Sequence, residues 1–340
     1  MLRLPKFELM EPTTLEEALA LLAEHGEDAM LIAGGTDLVP NMKHKLFEPK
    51  VVVSLARIDR LVGVCSEDDG ELVIGAMTRL DKVASNELVL ERAPVLAQAT
   101  SLIAGPQLRT MGTLGGNVML DTRCQWYNQT YFWRKALGYC LKKDGSECHV
   151  VAGGQKCVAA ASNDSAPALM TLGARAVFHG PTGRREVLVD DLWKADGIYN
   201  KKTEAGEILT ELRIPAQAAG HRGAYGKLRD RGSIDFPLLG IAARLDVSDA
   251  GEVADADVVA VALAARPVRI RSAAPELVGK KLGTPEFASA VESVAKGAFK
   301  QCHPMANIPG DHDYRRDMVP VYVRRTLHAA ADGSGPIHHI

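Results

Sequence analysis

Four cysteines, Cys124, Cys140, Cys148 and Cys157, fall within 34 residues of a 340-residue chain that has six cysteines in all. Their spacing is C-x15-C-x7-C-x8-C. Four thiolates are a full ligand set for a tetrahedral zinc or for a cubane iron–sulfur cluster, and soft sulfur donors select both over hard cations. Spacing alone leaves cluster, zinc and unliganded thiols open, because the close pairs of a zinc site and the tight spacing of a ferredoxin are both missing. Trp126, Tyr127, Tyr131, Phe132, Trp133 and Tyr139 crowd the same window in a chain that is 5% aromatic. They would either shield a redox centre and tune its potential, or form a small core for a loop with little other apolar surface. His149 adjoins Cys148 but is not needed to complete four ligands. Cys65 and Cys302 are distant singletons, expected as small packing residues.

A second chemistry resides in two glycine-rich turns. The first, Ile32-Ala33-Gly34-Gly35-Thr36-Asp37-Leu38, runs out of the apolar stretch Ala29–Ala33; the second is Thr113-Leu114-Gly115-Gly116-Asn117. A strand, a glycine pair and then polar residues opening a helix present backbone amides to a phosphate that a side chain would block. Either turn alone is read more readily as a tight strand-to-helix connection. Two in one chain point to a single diphosphate held between two backbone nests. Neither turn is a G-x-G-x-x-G fingerprint or a P-loop.

These residues need elements to position them. Thr14 and Glu17 have capping-box spacing, and Ala18, Leu19, Leu21 and Leu22 supply the apolar stripe of a helix that ends near Gly26. Val51–Leu55 and Glu71–Ala76 read as strands, with Thr78 available to cap a following helix. Alternation in Ala224–Arg229 and Leu239–Leu245 predicts antiparallel strands, and helical patterns follow at Glu286–Phe299 and Tyr314–Ala330. The expected divisions are 1–57, 58–215 and 216–332, with 333–340 a flexible tail.

Composition is that of an ordinary globular protein: 46% apolar, 24% charged, net charge −2. That charge gives no reason to expect nucleic acid, and no apolar run is long enough for a membrane span. The first residues lack the apolar core of a secretory signal, so a cytoplasmic location with reduced cysteines is expected. There is no nucleophile elbow and no H-E-x-x-H.

Taken together, the chain resembles the FAD-binding medium subunits of the molybdenum hydroxylase family, which includes xanthine and carbon monoxide dehydrogenases. The resemblance runs in order over nearly the whole chain, through Ala33–Leu38, Ile74–Thr78, Thr113–Asn117, Asn163–Leu169, Tyr225–Arg231 and Asp313–Arg316. It implies an α+β chain: a two-subdomain FAD-binding fold of the molybdopterin-dehydrogenase type, then a C-terminal α/β domain with an antiparallel sheet. Both glycine turns would hold the FAD diphosphate, with Thr36 and Asn117 adding side-chain hydrogen bonds. Asp164 would approach the flavin ring or ribityl chain, and Lys227 would lie near the isoalloxazine. The plain alternatives are a helix cap for Asp164 and a solvated strand residue for Lys227.

In most of that family the acidic residue follows the second turn closely, whereas here Asp164 comes 47 positions after Asn117. The intervening insertion, about 119–158, resembles the loop of 4-hydroxybenzoyl-CoA reductase β subunits through Asp121–Cys124, Tyr127–Gln129, Trp133-Arg134, Gly138–Lys142, Cys148–Val150 and Cys157. This resemblance assigns a [4Fe-4S] cluster to Cys124, Cys140, Cys148 and Cys157. It further implies an electron-transfer role without catalytic residues in this chain. Reduced ferredoxin would be the donor. A molybdopterin-binding large subunit and a small subunit with two [2Fe-2S] clusters would be partners in a dimer of heterotrimers. The reaction implied is reductive dehydroxylation of 4-hydroxybenzoyl-CoA; the alternative is a hydroxylase or dehydrogenase of another aromatic or N-heterocyclic substrate, with electrons flowing outward.

Overall fold

The structure, a computed structural model, describes residues 2–339; Met1, at the start of the expected first subdomain, and Ile340, at the end of the expected tail, lie outside them. The first unit is a three-stranded parallel sheet in the order β1-β3-β2, from β1 (Glu8–Met10), β2 (Ala29–Ile32) and β3 (Val51–Ser54). The central strand β3 is buried along its length, which suits its run of three valines. The helix Leu15–His25 covers the sheet, burying Leu15 and Ala18 with Val51, Val53 and Leu55. Its capping box forms as the spacing predicts: Thr14 Oγ accepts from Glu17 N–H, and the Glu17 carboxylate accepts from Thr14 N–H.

The second unit is a five-stranded antiparallel sheet ordered β4-β5-β8-β6-β7. Its strands are β4 (Val64–Ser66), β5 (Leu72–Gly75), β6 (Arg175–Gly180), β7 (Gly183–Leu188) and β8 (Ile208–Ile214). The helices Leu80–Ser85, Pro94–Ser101 and Ser165–Thr171 contribute apolar residues to its core. Thr78 does not cap the helix that follows it. Arg79 occupies that position, and the Thr78 hydroxyl instead bonds both N–H and C=O of Gly63 (2.9 and 3.0 Å), tying β5 to the start of β4.

The third unit is built on β9 (His221–Leu228), β10 (Leu239–Val247), β11 (Val253–Val261), β12 (Val268–Arg269) and β13 (Ile337–His339), in the order β12-β11-β10-β9-β13. The long helices Pro285–Gln301 and His312–Asp332 bury their apolar faces against it. The stretch expected as a flexible tail is corrected here. Gly333 ends the last helix in the left-handed conformation, and Ile337–His339 turn back to pair in parallel with Gly226–Leu228. That pairing covers what would otherwise be the exposed edge of β9. Among the described residues no helix is long and apolar enough to cross a membrane.

Arg315 holds the last helix in register. Its side chain is fully buried and donates to the carbonyls of Leu238 (3.0 Å), Met305 (2.8 Å) and Ala262. Each buried carbonyl left unpaired costs roughly 1–3 kcal/mol. Arg315→Met is therefore expected to lower stability by about 3 kcal/mol or more, read as a fall in the urea midpoint with little change in slope.

Candidate functional site

The two glycine turns lie against each other. A Cβ added to Gly34 would sit 1.8 Å from the carbonyl oxygen of Met111 and 2.9 Å from Cα of Gly112, so only glycine permits this approach. A Cβ on Gly116 would come within 3.6 Å of Cβ of Ala33, and one on Gly112 within 3.4 Å of the Thr36 hydroxyl. Ala33–Asp37 lead from β2 into the short helix Leu38–Lys43. Thr113 caps the helix Leu114–Val118 by accepting from Gly116 N–H (3.1 Å). Residues about 80 positions apart in the chain thus bring the two turns into close contact.

Asn117 connects the second turn to the chain at Asp164-Ser165. Its side-chain oxygen accepts from the N–H (3.1 Å) and hydroxyl (2.6 Å) of Ser165, directly after Asp164. Asp164 occupies the N-cap position of the helix Ser165–Thr171, yet its side chain makes no capping bond. Its carboxylate instead accepts from the Tyr225 hydroxyl (2.8 Å) and from Lys227 Nζ (3.0 Å). Lys227 is 0% exposed, so it is not a solvated strand residue, and it also donates to the Leu102 carbonyl (3.0 Å). Burial pushes the Asp164 carboxyl up and the Lys227 ammonium down, and each is opposed by the charge of the other. At hydrogen-bond distance they stand as an ion pair. Tyr225 was not singled out from the sequence, although two-residue alternation along β9 puts it on the face of Lys227.

All four clustered cysteines line one small recess, together with Trp126, Tyr127, Lys142 and His149. Cys124 and Cys140 are buried; Cys148 and Cys157 are half-buried. Burial pushes the Cys124 thiol up to about 11 and raises that of Cys157 as well. Four thiolates therefore need a compensating positive charge in the recess. Lys142 stands at its wall, held by Asp121 (2.8 Å) and the carbonyls of Thr122 and Gly197 (both 3.0 Å), with its ammonium 4.5 Å from the Tyr127 ring centre. A Cβ on Gly197 would lie 2.7 Å from Cys157 Sγ; nothing in the sequence around Gly197 signalled this role. His149 Nε2 is engaged by the Tyr139 carbonyl. The aromatic residues divide: Tyr127 is buried with Cys124 and Cys140 and Trp126 packs beside them, whereas Phe132 is 77% exposed. Cys65, on β4, and Cys302, in the core of the third unit, are outside the recess.

The tightness of a ligand set separates the metals that could occupy it. Among the described residues, three ligand atoms come within 4.8 Å of one another at the exposed Asp311, His312 and Asp313. No three of the cysteine sulfurs gather that closely. Tetrahedral zinc, with Zn–S near 2.3 Å, needs sulfurs about 3.8 Å apart. A cubane takes one thiolate on each of four separate irons and spreads them wider.

Comparison with known proteins bears on the whole chain. Residues 5–217 match the FAD-binding domain in molybdopterin dehydrogenase, and residues 223–330 match the CO dehydrogenase flavoprotein C-terminal domain. The carbon monoxide dehydrogenase medium chain of Hydrogenophaga pseudoflava is 32% identical over 326 residues, covering 96% of this chain and 97% of that one. The xanthine dehydrogenase FAD-binding subunit of Escherichia coli O157:H7 is 25% identical, covering 95% of each. Among solved structures, the chain superimposes on carbon monoxide dehydrogenase from H. pseudoflava with a TM-score of 0.77 (32% identity, 96% of this chain and 98% of that one). It superimposes on quinoline 2-oxidoreductase from Pseudomonas putida 86 with a TM-score of 0.76 (25% identity, 98% and 99%).

Removing one member of a buried ion pair typically costs 3–5 kcal/mol, because the other is left charged and dry. Lys227→Met is expected to destabilise the chain by about that amount, and Lys227→Met with Asp164→Asn by clearly less than the sum of the single changes. Chemical denaturation of the three variants checks both statements.

Proposed function

The chain belongs to the FAD-binding medium-subunit family of the molybdenum hydroxylases, and on that premise we propose that it is an electron-transfer subunit holding FAD in its glycine-turn groove and a [4Fe-4S] cluster in its cysteine recess. When bound, these groups supply the redox chemistry; the protein supplies binding, orientation and electrostatics. Gly34, Gly35, Thr36, Gly115 and Gly116 would hold the diphosphate through backbone amides on two turns that pack together at Ala33 and Gly116 and at Gly34 and Met111. Ile32, Ala33, Asp37, Leu38, Thr113 and Asn117 frame the two turns. Asp164 and Lys227 would meet the flavin end as an already neutralised pair. Cys124, Cys140, Cys148 and Cys157 would hold the cluster, and the Lys142 ammonium at the recess wall would offset part of the added negative charge.

The observation that carries the cluster reading is a single recess lined by all four cysteines, the full thiolate set that a cubane takes. The insertion supports the more specific reading that the chain serves a cytoplasmic 4-hydroxybenzoyl-CoA reductase. There it would take electrons from reduced ferredoxin and pass them to a [2Fe-2S] small subunit and a molybdopterin-binding large subunit, in a dimer of heterotrimers. Two electrons and two protons then convert 4-hydroxybenzoyl-CoA to benzoyl-CoA and water. The breadth of the relatives favours a second reading, in which the same subunit type passes electrons outward from oxidation of another aromatic or heterocyclic substrate.

Two measurements test these statements separately. Purified without oxygen, Cys140→Ser is expected to lose the broad thiolate–iron absorption while keeping the flavin bands; an unchanged spectrum would remove Cys140 from the ligand set. The intact complex is expected to reduce 4-hydroxybenzoyl-CoA with reduced viologen. Turnover of another substrate in place of this one would replace the reductase reading and leave the cofactor reading intact.

A further inference from the structure

The cysteine loop grips the residues that follow the first glycine turn. Arg123, next to Cys124, places Nη1 2.9 Å from Oδ1 of Asp37, and Asn41 donates to Oδ2 of the same carboxylate (2.9 Å). The guanidinium of Arg123 lies 3.8 Å from the Phe236 ring centre, and its backbone is bonded in both directions to Ala160 (2.8 Å each). Arg134, 1% exposed, donates to the carbonyls of His44 (3.2 Å) and Lys45 (3.0 Å). Leu46 shares an apolar cluster with Cys124, Tyr127 and Cys140. Residues 37–47, continuous with the Gly34-Gly35 turn, are thus the floor on which the loop rests.

Charge gives this contact a consequence. Asp37 adjoins a turn read as a diphosphate site, where a bare carboxylate would repel the ligand in a partly buried setting. Arg123 supplies the neutralising charge, and it comes from the insertion. Its planar guanidinium lies on the Phe236 ring and its backbone is held by Ala160, so the ion pair is preorganised.

We propose that Arg123 is a positioning residue for FAD: through Asp37 it neutralises and steadies the first glycine turn, so that flavin affinity depends on a folded cysteine loop. This rests on reading the turns as the FAD site and the cysteines as metal ligands. Coupling of this kind is reciprocal, so FAD also favours the loaded loop.

The test is FAD affinity of the purified full chain, followed by flavin fluorescence, with iron content measured in parallel. Arg123→Gln is expected to weaken FAD binding by about tenfold, within the usual range of coupling between sites. Asp37→Asn added to Arg123→Gln is expected to restore most of it, because the unpaired carboxylate is gone; Arg123→Lys, which keeps the charge and the fold, should lose less. Removing iron from the wild-type chain with a chelator should also weaken FAD. Wild-type affinity in Arg123→Gln, or losses that simply add in the double variant, would overturn the coupling alone. A wild-type chain that takes up no FAD would overturn the groove reading and the coupling with it.

Discussion

The hydrogen bonds from Ser165 to the side-chain oxygen of Asn117 are the constraint on which the site depends. They bring the chain back, 48 positions on, to the point where it left. Asn163 repeats the closure by donating to the Val118 carbonyl (3.1 Å), and Arg123 and Ala160 exchange backbone hydrogen bonds one step further out. A loop pinched at its base in this way can be long without disturbing the fold that carries it. The scaffold keeps Asp164 next to the second glycine turn, and the loop between them builds its own recess.

That closure explains why two sites of different character sit next to each other. The paired turns are made of backbone: at Gly34 and Gly115 the neighbouring chain packs so closely that a methyl group could not enter. The recess is made of side chains, with four sulfurs, two aromatic walls and one ammonium held by an aspartate. Segment 37–47 joins them, since it continues the first glycine turn and also supports the cysteine loop. The loop is therefore structurally part of the flavin-binding unit.

Much of this arrangement was legible in the sequence. The capping box at Thr14 and Glu17, the valine-rich strand and the two glycine turns are local patterns whose physics does not depend on the rest of the chain. The four cysteines were visible as a set, but their gathering around one recess is a tertiary property that spacing along the chain does not carry. Asp164 and Lys227 were found through the family pattern, while their pairing across 63 positions and the Tyr225 hydroxyl that completes it appear only when β9 lies beside the start of the Ser165 helix. Gly197 had no signal, because its need arises from the approach of Cys157 from another part of the chain. The tail was misread because a three-residue strand carries almost no periodicity; the open edge of β9 recruits it.

The central claim is that one chain carries a flavin and a cubane cluster in adjacent sites. Its most direct test is the content of the protein purified without oxygen: FAD, iron, acid-labile sulfide and zinc, each counted per chain. The account predicts one FAD with four irons and four sulfides on this subunit. One zinc with no labile sulfide, or iron and sulfide unaffected when the clustered cysteines are replaced, would contradict it.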